Sequence, residues 1–392
     1  MEIKLKNTPE QIELVKAMGS KNPTVAREAI EAVAAFIGPV VRQVLETLGT
    51  ASQIYRDIEF DEDSDPSIPL DLFFNEGTGY VTVWAQSQAG GLPSSQTAGI
   101  QELKFLTYRL DSAVSFNKKY ARKSRLDVVS KSIERLVQEV LIKQEVNAWA
   151  VILKGLAEAY TTTNFGGSLQ HIVPGQNIGQ LALADFNNLI VRIKRINESF
   201  SGNTPVQPYS NGITDIYVSP EVKAMIRAFS YNPINTTASP SAARAGQDQF
   251  ITEDLRNEIY RGGGLQSIYG VNIIELIEFG LGQKYQTLFN TFIGNNALGN
   301  IQAASSTPGT SQNFNTSSAV GTGNQILVGV DNTRGAFLRP VARQAESGGT
   351  FNVLPDDQWS AIGSRVERLG FYGSLEEGRV LLDARAVAGL AI

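Results

Sequence analysis

The chain has 392 residues, of which 42% are hydrophobic and 19% charged, and its formal net charge is -5. We therefore expect an ordered protein of two or three domains, and neither a disordered chain nor a tight general nucleic-acid binder. The absence of cysteine excludes disulfides, thiolate nucleophiles and cysteine-ligated metals, and a single histidine excludes a histidine-rich metal site. No cofactor is expected, and no apolar run approaches the ~20 residues of a membrane span.

The N-terminal part is predicted to be helical. Apolar residues recur with helical period from residue 8 to 48, Thr8 and Pro9 form a start signal, and residues 19–23 break the pattern. We expect two helices, the second bent at residues 38–39. The first residues include no apolar run, so no export signal is expected.

An acidic segment follows at residues 57–71, which carry seven acids and two prolines and are predicted to be extended. Asp61, Asp63 and Asp65 have the spacing of a calcium loop, but Pro66 stands where that loop needs glycine, so the calcium interpretation fails. We expect a solvated acidic segment or one that docks on a basic neighbour.

A long uncharged hairpin is predicted next. β-prone residues run from 79 to 84 and from 102 to 108, and residues 77–101 contain no charged side chain. A projecting hairpin of this kind is expected to be covered by another protein. Its candidate interface residues are Trp84, Gly90, Gly91 and Leu92.

The strongest helical pattern runs from residue 126 to 159, which predicts a helix ~50 Å long. The approach to it, residues 118–125, carries five cations, among them the interface candidates Lys119 and Arg122. This approach either contacts phosphate or an acidic segment, or is merely exposed, and the sequence leaves both interpretations open.

Helices and strands alternate from residue 183 onward, which predicts an α/β or α+β core. Helices are expected at 183–200, after Pro220 and at 253–261, and strands at 213–219, 271–277, 325–330, 335–341, 362–372 and within 379–392. The uncharged residues 285–330 are otherwise expected to form a long loop or insertion.

Catalytic constellations are not found in the sequence. No P-loop is present, and His171 lies in an uncharged stretch without a partner motif, so it is expected to be a satisfied loop histidine. Adjacent acids such as Asp356 and Asp357 are ordinary in a chain with 39 of them. We expect a protein that is not an enzyme.

The order of these elements resembles the major capsid protein of tailed bacteriophages, with the HK-ninety-seven-like fold shared with encapsulins. Four phrases carry the resemblance: ITDIYVSPEVKAMIRAF at 213–229, LQSIYGVNIIEL at 265–276, NQILVGVDNTRGAFLRPV at 324–341, and RVERLGFYGSLEEGRVLLDARAVAGL at 365–390. It implies an α+β chain with an N-terminal arm (1–76), an E-loop hairpin (77–108), a peripheral domain with a spine helix (109–182), an axial domain (183–330) and a return to the peripheral domain (331–392).

The resemblance also implies a function. Copies would form pentamers and hexamers of an icosahedral head that encloses double-stranded DNA and touches it only by weak, non-specific contact. Portal, scaffold and cement or decoration proteins would be partners, the location would be the virion capsid after assembly in the host cytoplasm, and no membrane would be involved. Asp356 and Asp357 would lie near neighbouring capsomers, and Asp61, Asp63 and Asp65 of one copy would contact Lys119 and Arg122 of the next.

Three alternatives remain open at this point. An encapsulin-like compartment enclosing cargo enzymes is the nearest to the capsid interpretation. An enzyme with a carboxylate site and an adhesin built on the segment rich in Asn, Ser and Thr belong to other classes.

Overall fold

The computed structural model describes residues 8–47, 49–61, 64–69, 102–161, 171–175, 179–198, 212–228, 267–295, 300–302, 311–313, 325–343, 351–355 and 368–392. Their helices are α1 (Pro9–Met18), α2 (Pro23–Thr47), α3 (Ala51–Ile54), α4 (Lys118–Arg122), α5 (Leu126–Thr161), α6 (Leu183–Glu198), α7 (Pro220–Ala228) and α8 (Lys284–Asn295). Their strands are β1 (Arg56–Asp61), β2 (Ser67–Pro69), β3 (Glu102–Lys104), β4 (Tyr108–Asn117), β5 (Ile172–Pro174), β6 (Asp215–Val218), β7 (Ser267–Ile268), β8 (Val271–Glu275), β9 (Asn300–Gln302), β10 (Ser311–Asn313), β11 (Ile326–Val330), β12 (Phe337–Arg343), β13 (Asn352–Pro355), β14 (Arg368–Glu377), β15 (Val380–Leu381) and β16 (Val387–Ala391).

The described residues divide into two compact units. The first takes those within Met1–Ile68, Glu102–Ala148 and Phe337–Val380, and the second takes the described parts of Trp149–Ala336 and Leu381–Ile392. The long helix α5 therefore contributes its residues up to Ala148 to one unit and the rest to the other. The domain boundaries given above remain a prediction.

The first unit contains a mixed sheet organised around β14. Strand β4 pairs antiparallel with β14 over all ten residues, from Arg368 opposite Asn117 to Glu377 opposite Tyr108. On its other edge β14 pairs with β13 at residues 371–374 and with β12 at Glu377, and β12 pairs in turn with β1 in parallel. Among the described strands, β1 stands at the end of this sheet.

One face of this sheet packs against helices. Alternate residues of β14, such as Phe371 and Leu375, are buried together with Val33 and Ile37 of α2 and Val137 of α5. The helical period of α2 and α5 supplies apolar residues at the matching steps, which explains why these segments are helices on a sheet. Burial of such side chains stabilises the unit by ~1.5–3 kcal/mol each.

The second unit has a sheet with the order β5, β16, β11, β6, β8, β7. On one face Ile216 and Val218 of β6 join the core formed with α6 and α7. On the other face Tyr217 meets Trp149, whose ring lies 4.8 Å from it and 5.3 Å from Phe279, centroid to centroid. Both faces of this sheet are therefore covered, and its inner strands are correspondingly apolar.

Most of the predicted elements are confirmed by the structure. The two N-terminal helices, the extended acidic segment, the long helix, and the strand, turn and helix around Pro220 are present. A mixture of helices and sheets is thus confirmed. The predicted strand at 79–84 and the helix at 253–261 lie outside the described residues.

Two predictions were wrong. Residues 102–108 are not one strand, because β3 ends before Phe105, whose N–H donates to Pro66 O, and the chain then begins β4 beside β14. Residues 285–330 are not one long loop up to the predicted strand at 325–330, because α8 and the short strands β9 and β10 also lie within them. Tyr285 and Phe289, one helical turn apart, are buried in α8, and this apolar period was masked by the lack of charges.

Candidate subunit interface

The predicted interface residues are only partly within the described chain. Asp61 and Asp65 lie at the end of β1 and just before β2, and Lys119 and Arg122 lie on α4; all four are exposed. The remaining candidates lie outside the described residues: Asp63, Trp84, Gly90, Gly91, Leu92, Asp356 and Asp357.

The acidic segment makes ion pairs within its own chain. β1 lies parallel to β12, so that Asp57 is opposite Arg339 and Asp61 opposite Arg343. Asp57 pairs with Arg339 at 3.4 Å and Glu59 with Arg343 at 3.8 Å. Several acids of the segment predicted to be solvated or docked on a basic neighbour therefore lie on a strand, next to a strand of the same chain that carries their cationic partners.

A polar groove, which we call the β1 groove, lies beside this strand. It has a volume of about 470 Å³. After Asp61 the chain turns, since the N–H of Ser64 donates to Asp61 O at 2.8 Å, and the following residues form the opposite wall. The residues lining the groove are Ile58, Glu59, Phe60, Asp61, Ser64, Asp65, Pro66, Ser67, Phe105 and Arg343.

A two-stranded ribbon of β2 and β3 borders the groove. Asp65 and Lys104 form an exposed ion pair of 3.6 Å beside it. The hairpin predicted from residues 79–84 lies outside the described residues and stays a prediction. Leu106, just beyond the ribbon, has 91% of its surface exposed.

The basic approach to α5 is a short capped helix. The Asn117 side chain accepts from Lys119 N–H at 2.8 Å, and Lys118 is buried, so only part of this cationic segment faces solvent. Arg122 Nε donates to Gly19 O at 2.9 Å, which ties α4 to the end of α1. Lys119 and Arg122 lie one turn apart on the same side of α4.

Helix α2 carries exposed apolar side chains on a second side. Val25, Phe36 and Val40 have 41%, 59% and 44% of their surface exposed, and their spacing of eleven and four residues places them on one stripe. A Phe that exposed in an otherwise amphipathic helix marks a surface suited to a partner.

A buried polar cluster in the first unit was missed by the sequence analysis. Glu377 is fully buried and accepts from Arg339 Nε at 2.8 Å, Arg379 Nη2 at 3.2 Å, Gln144 Nε2 at 3.1 Å and Tyr108 OH at 2.9 Å. Burial, and then the Glu377 charge, raise the pKa of Tyr108 to about 12. Leu375 is buried, and residues two apart in a strand lie on the same face, so this spacing was the signal in the sequence that Glu377 is buried too.

His171 is a buried residue whose ring makes a hydrogen bond to the backbone. It is buried directly before β5, and its Nδ1 lies 2.9 Å from Val387 O, to which the ring N–H donates.

Within the described residues, no group of three or more His, Cys, Asp or Glu side chains is placed to hold a metal ion. No helix in the described part of the chain is long and apolar enough to cross a membrane.

Comparison with known proteins gives a consistent set of similar structures. No family model and no curated protein matches the sequence. The chain is similar to the capsid of an empty GTA particle at 12% identity, covering 88% of this chain and 91% of that one with a TM-score of 0.47. It is similar to a Gordonia phage Cozz chain at 11% identity, 87% and 85% coverage and a TM-score of 0.44.

An encapsulin is also among the similar structures. The holo-SrpI encapsulin complex from Synechococcus elongatus matches at 12% identity, covering 74% of this chain and 75% of that one with a TM-score of 0.35. The similar structures are thus phage and GTA capsids together with an encapsulin.

Proposed function

We propose that this chain is the major capsid protein of a tailed bacteriophage, whose copies form the pentamers and hexamers of an icosahedral head around double-stranded DNA. The observation that carries the proposal is the apolar stripe of α2, Val25, Phe36 and Val40, which a lone copy leaves in water. Covering it with another copy removes apolar surface from water at ~25 cal/mol per Å².

The ribbon of β2 and β3 supports the same proposal. The uncharged residues 77–101 lie between its strands, and the fully exposed Leu106 stands at its end. A surface of this kind is suited to contact with a neighbouring copy and not to a substrate. We assign residues 77–108 to an E-loop and α5 to a spine helix on this basis.

The other segments of the chain are assigned as the resemblance to capsid proteins implies. Residues 1–76 would be the N-terminal arm, 109–182 the peripheral domain, 183–330 the axial domain and 331–392 the return segment. Portal, scaffold and cement or decoration proteins are the proposed partners, and assembly takes place in the host cytoplasm. The chain is proposed to have no enzymatic activity.

Contact between copies is proposed to include charge pairing. Asp61, Asp63 and Asp65 of one copy would approach Lys119 and Arg122 of another, and Asp356 and Asp357 would lie near a further neighbour. No contact or surface of the described residues favours the encapsulin-like alternative, so it is not proposed.

The test is assembly of the purified chain. Light scattering and negative-stain electron microscopy should show closed shells of uniform diameter, built from pentamers and hexamers. A stable monomer or dimer over a wide range of concentration would contradict the proposal.

A further inference from the structure

We propose that the β1 groove binds residues 3–6 of a second copy as an added β-strand. This inference rests on the proposed function, because it needs copies of the chain to meet. The occupant is the segment Ile3, Lys4, Leu5, Lys6, which precedes the described residues.

The first argument is the open edge of β1. β1 is the end strand of its sheet among the described residues, so one row of its backbone groups has no strand partner there. Four consecutive residues, 58 to 61, line the groove. A groove over the face of a strand would be lined by alternate residues, so this one follows the edge. An edge of this kind accepts an extended segment through main-chain hydrogen bonds.

The second argument is the match of side chains. Along β1, Ile58 and Phe60 are half-buried while Glu59 and Asp61 are exposed, so apolar and acidic residues alternate between the two faces. The segment at 3–6 alternates apolar and cationic residues with the same period of two. A strand added in register places its apolar side chains beside Ile58 and Phe60 and its lysines beside the acids.

The third argument is charge. The groove is lined by the carboxylates of Glu59, Asp61 and Asp65 and by the single guanidinium of Arg343. Because Lys104 pairs with Asp65 beside the groove, one negative charge is left over, and a lysine of the segment would neutralise it. Lys119 and Arg122, proposed above to approach these acids through their side chains, lie on a helix, which cannot add a strand to the edge of β1.

Cysteine crosslinking tests the proposal directly, because the natural chain has no cysteine. Lys4→Cys would be combined in turn with Asp57→Cys, Glu59→Cys and Asp61→Cys, which scans the register. A disulfide forms only when the two Cα atoms lie within ~4.4–6.8 Å. After mild oxidation of assembled material, at least one pair should give covalent dimers and longer multimers on a non-reducing gel.

The controls separate the possible occupants. Lys4→Cys with Lys143→Cys, an exposed position on α5, should remain monomeric on the gel. A disulfide closed within one chain would place the strand in its own copy and overturn the proposal. Crosslinking of Asp61→Cys with Lys119→Cys, without any for Lys4→Cys, would show the helix as occupant and also overturn it.

A charge exchange provides a second measurement. Lys4→Glu with Lys6→Glu should slow shell assembly at least tenfold at low salt, and adding Glu59→Lys with Asp61→Lys should restore most of the rate. Assembly unchanged by the first pair would overturn the inference while leaving the proposed function intact. Failure of the unaltered chain to form shells under the microscope would count against the proposed function itself.

Discussion

Ser124, between α4 and α5, has a backbone conformation that normally requires glycine. Its φ is +55°, and the bonds from Ser124 N–H to Ala121 O and from Arg125 N–H to Tyr120 O form the glycine-type helix end. Its hydroxyl is buried and has no hydrogen-bond partner among the described residues. The side chain therefore adds strain without a compensating contact.

Ser124→Gly should consequently stabilise the chain by ~1 kcal/mol, since glycine adopts a positive φ freely. Urea unfolding followed by circular dichroism measures this change. The matched control Ser115→Gly, at an exposed position in β4, should have the opposite sign, because glycine in a strand costs ~0.5–1 kcal/mol. A loss of stability in Ser124→Gly would contradict this interpretation.

His171 makes stability depend on pH. Burial holds the pKa of its imidazole below the ordinary value of 6.5, so that the folded chain keeps it neutral where the unfolded chain already protonates it. The unfolded state then binds more protons, and stability falls as the pH drops below about 6.5.

His171→Gln should flatten this dependence between pH 7 and the onset of carboxylate titration at ~5. Unfolding free energies measured across that window for both proteins provide the comparison. Equal pH slopes for the two would show that His171 does not titrate on unfolding.

At the scale of elements, Glu377 connects four of them. Its partners come from β4, α5, β12 and the residue before β15, so its set of hydrogen bonds is complete only when all have docked. Removing one member of a buried ion pair leaves the other charges uncompensated.

Glu377→Gln should therefore destabilise the first unit by about 3 kcal/mol. Glu376→Gln is the adjacent control, since Glu376 is only half-buried and its expected cost is under ~1 kcal/mol. Denaturant titration of both variants measures the difference, and equal costs would argue against a special role of the cluster.

The apolar stripe of α2 should matter for assembly and not for folding. Phe36→Ser removes an exposed side chain, so unfolding should change little, while each contact between copies should weaken by ~10- to 100-fold. Light scattering measures assembly, and Val191→Ser, with 58% exposure on α6, controls for loss of an exposed apolar residue. Normal assembly of Phe36→Ser would place the interface elsewhere.

The sequence predicts elements well where one periodicity dominates. α5 was found to within two residues because its apolar residues repeat over ten turns. α8 was missed because its apolar residues, which do repeat with helical period, lie in an uncharged segment that was interpreted from its composition. The division of residues 102–108 between two strands depends on partners that lie far away in the sequence.

The same limit applies to the candidate site. The acids of the extended segment and the cations before α5 were identifiable from composition. The β1 groove was not, because it needs the parallel pairing of β1 with β12, 282 positions apart at Asp57 and Arg339. Long-range register of this kind leaves no local pattern.

For the whole molecule, the charge-pair proposal predicts salt-dependent assembly. Asp61→Asn, Asp63→Asn and Asp65→Asn together should slow assembly at low ionic strength, with a smaller effect at high salt, while the fold is retained. Light scattering at two salt concentrations gives the rates.

The matched control replaces three exposed acids of α1 and α2, Glu10, Glu13 and Glu28, by Gln, which removes the same number of negative charges. An effect of the same size in this control would show that the assembly rate depends on the total charge of the chain and not on the acidic segment. An unchanged rate in the Asn variant would show that the acidic segment is merely solvated.

The pairing of β1 with β12 also bears on how the chain emerges from the ribosome. The first unit needs Tyr108 to meet Glu377, 269 positions later, so its sheet cannot close until nearly the whole chain has been synthesised. Closing such long loops is slow, and the early helices wait with their apolar faces uncovered. The β1 edge therefore becomes part of a finished sheet only when translation is almost complete.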